Sequence, residues 1–118
     1  FRDEISKLEV DIVALEMLVL RVLSAEKSGK NSLDIAGLLK IKGSEIQQRY
    51  TELMMLAAGP FSLPFIFEAM DAGWQGDFPG NEVSNAPLAA NYFNMRKTTI
   101  YGGSNEVQRN IVAQVVLG

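Results

Sequence analysis

The chain has 118 residues, 47% of them hydrophobic, which is enough apolar material for one domain with a single buried core. Its 14 acidic and 11 basic residues give a formal net charge of -3, so its overall field does not attract nucleic acid or an anionic membrane. The absence of Cys and His excludes disulfides, thiolate nucleophiles and the commonest zinc ligands and general base, and we predict no metal site.

The chain is predicted to be cytoplasmic, without a membrane span. Charged residues such as Glu16, Arg21 and Lys40 interrupt every apolar run before it reaches the roughly 20 residues that a span needs. No charged leader with an apolar segment is present, and the lack of Cys is compatible with a reducing compartment. Because the sequence starts at Phe1, without Met, and enters a helical pattern almost at once, we expect a piece of a longer chain.

The first predicted helix runs from Phe1 to Ser28 and is ended by Gly29. Apolar residues recur there at the three- and four-residue steps of one helix face, namely Ile5, Leu8, Ile12, Leu15, Val19, Val22 and Leu23. A second set fills an adjoining face, namely Val10, Val13, Met17 and Leu20. A helix that is apolar on more than one side is expected to be covered by neighbouring helices or by a partner subunit.

The second predicted helix begins at a cap on Asn31 or Ser32 and is stopped by Gly59 and Pro60. Its predicted buried stripe consists of Ile35, Leu38, Leu39, Ile46, Tyr50, Leu53, Met54 and Ala57. The interior residues Gly37 and Gly43 each cost about 1 kcal/mol relative to Ala, for which a close helix crossing is the usual compensation. The short connection predicts that the two long helices are antiparallel.

Two shorter helices are predicted in the remainder, after a short helical stretch around 63–72 and a loop that extends to Asn85. The third helix starts at Pro87 and reaches about Thr99. The fourth follows the turn at 101–103, is capped by Ser104 or Asn105, and has an apolar face of Val107, Ile111, Val112, Val115 and Val116. No strand-like alternation is present, so we predict an all-α four-helix bundle that forms a single domain over 1–118.

The turn from Gly102 to Asn105 is the segment whose residues are best suited to bind a ligand. Its glycines permit positive φ and close backbone approach, and the following helix presents N–H groups and the positive end of its dipole. One interpretation is a loop that binds a phosphate- or ribose-bearing ligand, with Ser104 and Asn105 as side-chain partners. The other is an ordinary corner between two helices with an N-cap, and the residues alone leave both open.

A resemblance to a known family favours the first interpretation. Residues 100–111 read IYGGSNEVQRNI and resemble the C-terminal signature of acyl-CoA dehydrogenases, IY(E/G)GTx(E/Q)IQR. Upstream, the segments LKIKGSEIQQ at 39–48 and YFNMRKTT at 92–99 resemble one bacterial branch of that family, the pimeloyl-CoA dehydrogenase large-subunit type. The resemblance covers essentially the whole chain and implies the C-terminal four-helix domain of such an enzyme.

The resemblance implies an FAD cofactor and candidate residues for it. Members of this family remove the α hydrogen of an acyl-CoA as a proton and the β hydrogen as a hydride to FAD, which gives a trans-2-enoyl-CoA. Ser104 matches a Thr and Glu106 a Gln or Glu that contact the adenosine-diphosphate half of FAD, and Gly103 lies in the same turn. With Asn105, these residues are the predicted cofactor contacts. Glu106 is equally explained as a first-turn acid that stabilises the helix.

Two departures from the family pattern are informative. In many members the residue after the Tyr is the Glu that abstracts the α proton, but here it is Gly102, so no catalytic residue is assigned in this chain. The resemblance implies a base upstream of Phe1 or in a partner subunit. Where relatives carry a QxFGGNG loop that reaches the FAD of a neighbouring subunit, this chain has MLAAGPF, with only Gly59 retained. That stretch is either a backbone contact or a plain helix end.

Three hypotheses follow for the function. The first is the C-terminal domain of an FAD-dependent acyl-CoA dehydrogenase, a homodimer or homotetramer that uses a medium-chain, long-chain or dicarboxylic acyl-CoA and passes electrons to an acceptor. In that case Arg96 and Lys97 are the nearest candidates for a distal carboxylate, although cations also occur at helix ends for the dipole alone. The second is a non-catalytic, FAD-contacting assembly subunit of a heteromeric enzyme. The third is a helical interaction domain whose match is accidental.

Overall fold

The computed structural model describes residues 1–28, 33–77 and 85–117. Within these ranges the chain forms four α-helices, which we number α1 (Arg2–Lys27), α2 (Leu33–Ala58), α3 (Leu88–Met95) and α4 (Asn105–Leu117). These described ranges contain no β-strand. The predicted all-α class, with two long helices and two shorter ones, is therefore confirmed.

The chain divides into two compact units. The first comprises Phe1–Gln47 and Thr98–Gly118, and the second comprises Gln48–Lys97. Helices α1 and α4 and the first part of α2 belong to the first unit, and α3 belongs to the second. The expectation of a single domain over 1–118 stays a prediction.

Helix α1 begins after Phe1, whose carbonyl oxygen accepts hydrogen bonds from the amides of Glu4 and Ile5. It ends at Lys27 with Ser28 as its C-cap, whereas the predicted stop at Gly29 lies outside the described residues. Of its two apolar faces only Leu8 is buried. The second face is more than half exposed throughout, at Val10, Val13, Met17 and Leu20. The predicted cover for these faces is therefore not provided within the described part of the chain.

Helix α2 ends where the sequence predicts. The last helical residue is Ala58, after which Gly59 has a φ of +60° and Pro60 lies in a 3-10 turn, Gly59–Ser62. The predicted caps at Asn31 and Ser32, and the side chain of Ile35, lie outside the described residues.

The predicted buried stripe of α2 is largely wrong. Leu53 is buried as expected, but Leu38, Tyr50 and Met54 are exposed. The side that α2 buries in the first unit carries Ile41 and Ser44. The error arises because one side of the true interface is made of small residues rather than apolar ones.

A close crossing of α2 and α4 explains one of the two interior glycines. A Cβ added at Gly37 would lie 2.9 Å from Cγ2 of Val112 and 3.2 Å from Oε1 of Gln108, so the two helices approach too closely there for a larger side chain. A Cβ at Gly43 would meet nothing within 4 Å. The predicted crossing is therefore confirmed at Gly37 and wrong at Gly43.

In the second unit, the predicted short helix over 63–72 is wrong. Only a 3-10 turn forms there, Phe67–Met70, flanked by extended backbone at Ile66 and Asp71. Pro64 has no N–H to donate to a helix, and Gly73 has a φ of +86°, so neither end of this stretch propagates an α-helix. Residues 78–84 of the predicted loop lie outside the described residues.

Helix α3 follows Pro87, whose carbonyl oxygen accepts the amide of Asn91 at 2.9 Å. The helical path continues to Thr99 as predicted, although its last turn, Arg96–Thr99, is a 3-10 helix. The first turn of α3 is the best-buried part of the second unit, with Ala86, Leu88, Ala89 and Ala90 all buried.

Candidate functional site

The predicted cofactor-contacting residues lie in the turn that enters α4, within the first unit. Gly102 and Gly103 have φ values of +68° and +87°, a backbone region that side chains other than glycine rarely adopt. A Cβ at Gly103 would lie 2.6 Å from Nε2 of Gln108, whereas one at Gly102 would meet nothing within 4 Å. The turn therefore has a crowded inner residue, Gly103, and an open residue, Gly102, where another molecule can approach the backbone.

The side chain of Gln108, near the start of α4, stabilises this turn by a hydrogen bond to its backbone. Its Nε2 atom donates to the carbonyl oxygen of Gly102 at 3.2 Å. This hydrogen bond requires glycine at position 103, because a Cβ there would overlap with the Gln108 amide group.

Ser104, rather than Asn105, is the N-cap of α4. The Ser104 carbonyl oxygen accepts the amide of Gln108 at 2.9 Å, which is the first bond of the helix. Its Oγ atom accepts the amide of Val107 at 3.4 Å, the usual N-cap contact at a long distance. Of the two caps that the sequence allows, the structure selects Ser104.

Asn105 points into the first unit and fixes the turn to α2. It is 3% exposed, and its Oδ1 atom accepts a hydrogen bond of 2.7 Å from Nζ of Lys40. Its Nδ2 atom donates to Oγ of Ser44 at 3.1 Å, and the Ser44 hydroxyl donates in turn to the carbonyl oxygen of Ile41 at 2.8 Å. The Asn105 side chain is thus engaged inside the protein.

Glu106 lies in the first turn of α4 and is charged at neutral pH. Its pKa is lowered from the ordinary value, first by its own backbone N–H and then by the Ser104 hydroxyl, both of which donate to the carboxylate. Desolvation acts in the opposite direction, and the charges of Arg109 and Lys40 lower the pKa further. A carboxylate therefore occupies the positive end of this helix.

Beside this polar cluster, one ion pair joins α2 to α4 and a second lies within α2. Arg109 Nη2 lies 3.0 Å from Oε1 of Glu45, and Nζ of Lys42 lies 3.2 Å from Oε2 of the same carboxylate. These groups are well exposed, so each pair contributes no more than about 1 kcal/mol to stability.

A cavity of about 270 Å³ opens beside the turn, between α2 and the backbone of Gly102. Its lining includes Lys40, Gly43 and Ser44 from α2 and Tyr101 and Gly102 from the turn. These lining residues include a lysine, hydroxyl-bearing side chains and two glycines.

Arg96 and Lys97, the candidates for a distal carboxylate, bind groups of the second unit. The Arg96 guanidinium lies 4.4 Å from the ring centre of Tyr92, and its Nη2 atom donates to the carbonyl oxygen of Gln48 at 3.0 Å. Lys97 donates to Oδ1 of Asn94 at 2.7 Å. Among the described residues, no group of three or more acidic side chains is placed to hold a metal ion.

Sequence reasoning missed Lys40 and Ser44. Both lie on α2, some 60 residues before the turn that they contact. One available signal was the spacing of Gly37, Ile41 and Ser44, which places two small residues and one apolar residue on the same helix face. Nothing in the sequence indicated that Asn105 would be their partner.

Comparison with known proteins identifies the family. The model of the acyl-CoA dehydrogenase C-terminal domain matches residues 1–117, so this chain belongs to the acyl-CoA dehydrogenase family and represents its C-terminal domain. No curated protein and no solved structure matched the chain. None of the helices in the described ranges is long and apolar enough to cross a membrane.

Proposed function

We propose that this chain is the C-terminal domain of an FAD-dependent acyl-CoA dehydrogenase, and that the turn from Gly102 to Glu106 contacts the adenosine-diphosphate half of FAD. The observation that supports this most is the geometry of the turn in a member of this family. Two consecutive glycines with positive φ lead into the N-terminus of a 13-residue helix, and the space beside Gly102 is open. Phosphate groups are stabilised at such helix ends.

Each residue of the turn would have a separate role in binding FAD. Gly102 lets the ligand approach the backbone, and Gly103 makes room for the bond between Gln108 and the Gly102 carbonyl group. Ser104 offers its hydroxyl beside the helix N-terminus. Asn105 holds the turn on α2 through Lys40 and Ser44 rather than offering its side chain to the ligand.

Glu106 has a different role from a phosphate contact. Its carboxylate is an acceptor only and carries the same charge as a diphosphate, so it suits a donor such as a ribose hydroxyl and stabilises the helix in the absence of ligand. It is also a poor general base, because its pKa lies below the ordinary value for a carboxyl group.

FAD would supply the hydride acceptor for the β hydrogen of the acyl-CoA, while the α hydrogen leaves as a proton. Gly102 has no side chain to take that proton, so we propose that the base comes from another segment of a longer protein or from a partner subunit. The substrate class, including the dicarboxylic acyl-CoA of the pimeloyl branch, is proposed on sequence resemblance alone. The internal contacts of Arg96 and Lys97 do not favour a role for them in binding a distal carboxylate.

The exposed faces of α1 favour an assembled protein. Because Val10, Val13, Met17 and Leu20 form one apolar face that the described chain leaves uncovered, we propose that other domains or subunits of a homodimer or homotetramer cover it.

The cofactor proposal is tested with two substitutions at Ser104 in the full-length protein. Ser104→Thr introduces the family's residue and should keep FAD bound. Ser104→Asp caps a helix as well as Ser but adds a negative charge, so it should preserve the fold and lower FAD affinity by at least about tenfold. Equal FAD affinity in both variants, measured by titration of the apoprotein, would contradict the contact.

A second candidate function is a non-catalytic partner subunit, which Gly102 favours because the usual base is absent from its position. Anaerobic mixing of the FAD-loaded full-length protein with acyl-CoA distinguishes this candidate function from a self-sufficient enzyme. Bleaching of the flavin by the protein alone supports the self-sufficient enzyme, whereas bleaching only after addition of a companion subunit supports the alternative.

A further inference from the structure

Lys40 occupies an unusual position for a cation. Its ammonium group donates to Oδ1 of Asn105, the first residue of α4, at 2.7 Å and so lies beside the positive end of that helix. Helix dipoles favour cations at the C-terminus and anions at the N-terminus. The ammonium group therefore reinforces a positive potential instead of neutralising one.

The neighbouring carboxylates do not neutralise this potential completely. Glu45 is shared between Lys42 and Arg109, at 3.2 and 3.0 Å. Glu106 interacts with Lys40 through its charge, but it is fully exposed and is held by its own N–H and by Ser104. In the described part of the chain, the group that Lys40 contacts directly is a neutral amide. In this cluster Lys42 and Arg109 are thus paired with a carboxylate, whereas Lys40 contacts a neutral group, so an additional anion is attracted to Lys40 in particular.

Lys40 also lines the cavity of about 270 Å³ next to Gly102. Ligand pockets generally measure about 300–1,000 Å³, so this cavity is large enough for a phosphoryl group and its immediate surroundings but not for a dinucleotide. An ammonium group has three donors, and the bond to Asn105 uses one of them. Lysine binds phosphate as a point charge, for which two remaining donors are sufficient.

We infer that this cavity is a phosphoryl subsite and that Lys40 is its cationic residue. The inference rests on the proposed function, which places a diphosphate at the adjoining turn, and it adds a residue from α2 to the contacts of α4. The phosphoryl group comes from FAD, since the cavity wall and the FAD-contacting turn share Gly102. The CoA part of the substrate carries the same chemistry and is the other possible source.

The test uses apoprotein of the full-length chain and three substitutions. Lys40→Gln removes the charge but can still donate to Asn105, Lys40→Arg retains the charge, and Lys42→Gln removes a nearby exposed charge as a control. Affinities are measured by titration with FAD, ADP, adenosine and CoA, and thermal melting verifies that each variant is folded.

Lys40→Gln should weaken binding of FAD and ADP by about tenfold or more, because hydrogen bonds to charged groups are worth that much, and should leave adenosine binding unchanged. Lys40→Arg and Lys42→Gln should bind FAD within about threefold of the wild type, a difference below 1 kcal/mol. Weaker binding of CoA but not of FAD would support the subsite and assign it to the substrate. A Lys40→Gln protein that is folded and binds FAD, ADP and CoA like the wild type would overturn the inference. Wild-type protein that binds no FAD would instead overturn the proposed function.

Gly43 provides an independent variant, because it lines the cavity and has open space where a Cβ would be. Gly43→Leu should fill the cavity and improve helix propensity, so FAD affinity should fall while the melting temperature does not. Unchanged affinity for both FAD and CoA in this variant would also contradict a phosphoryl subsite.

Discussion

The two interior glycines of α2 provide a matched pair of substitutions with opposite expected effects on stability. Alanine in place of glycine inside a helix contributes about 1 kcal/mol in favour of folding. At Gly43 nothing lies within 4 Å of the added Cβ, so Gly43→Ala should gain that full amount. At Gly37 the Cβ would lie 2.9 Å from Val112 Cγ2, and such overpacking costs about 1–3 kcal/mol. Gly37→Ala should therefore lose about 1 kcal/mol net, which leaves the variants about 2 kcal/mol apart.

Urea unfolding monitored by far-ultraviolet circular dichroism measures this difference from the two midpoints, provided that the slopes are equal. In thermal unfolding, a difference of about 2 kcal/mol corresponds to roughly 8 °C for a domain of this size. Equal stabilisation by both substitutions would show that α2 and α4 do not cross closely at Gly37, and would refute the packing on which the position of the turn depends.

Three further predictions concern the turn and its supports. Asn105→Ala should destabilise the protein by about 2 kcal/mol in urea unfolding, because it removes the hydrogen bonds of Asn105 with Lys40 and with the buried Ser44. The control is Asn110→Ala on the exposed side of α4, which should change stability by less than about 0.5 kcal/mol. Glu106 has a lowered pKa in the folded state, so its charge stabilises the fold above the unfolded pKa of about 4.3 and this contribution is lost as the pH falls through the folded value. The unfolding midpoints of the wild type and Glu106→Gln should therefore differ at pH 7 and converge as the pH falls through the folded pKa of Glu106; a constant difference would contradict the assigned hydrogen bonds. Gly103→Ala should cost about 1–3 kcal/mol, because it combines a φ of +87° with a clash against Gln108, and a stability equal to the wild type would exclude this backbone geometry.

The regular features of the fold could be predicted because they depend on local chemistry. The end of α2 at Ala58 follows from a glycine that adopts positive φ and a proline behind it. The start of α4 follows from the cap at Ser104. By contrast, the short helix predicted over 63–72 failed because Ile66 and Asp71 adopt extended backbone, which the apolar and aromatic residues there did not indicate.

Features that depend on contacts between distant segments could not be predicted. The apolar stripe placed Leu38 and Tyr50 in the core, but the side of α2 that faces α4 is defined by Gly37, Ile41 and Ser44. Small residues occur at an interface because they allow two helices to approach closely. The periodicity of apolar residues does not detect them. For the same reason the sequence did not reveal that the Asn105 side chain is engaged by Lys40 and Ser44 inside the protein, and its predicted contact with the cofactor stays a prediction.

The flavin content of the full-length protein tests the central claim most directly. We expect it to purify with flavin absorbance, to release FAD on denaturation, and to bind FAD at least about tenfold more weakly on Ser104→Asp while remaining folded. Wild-type protein that is folded, contains no flavin and takes up none when FAD is added would contradict the proposed FAD-dependent dehydrogenase.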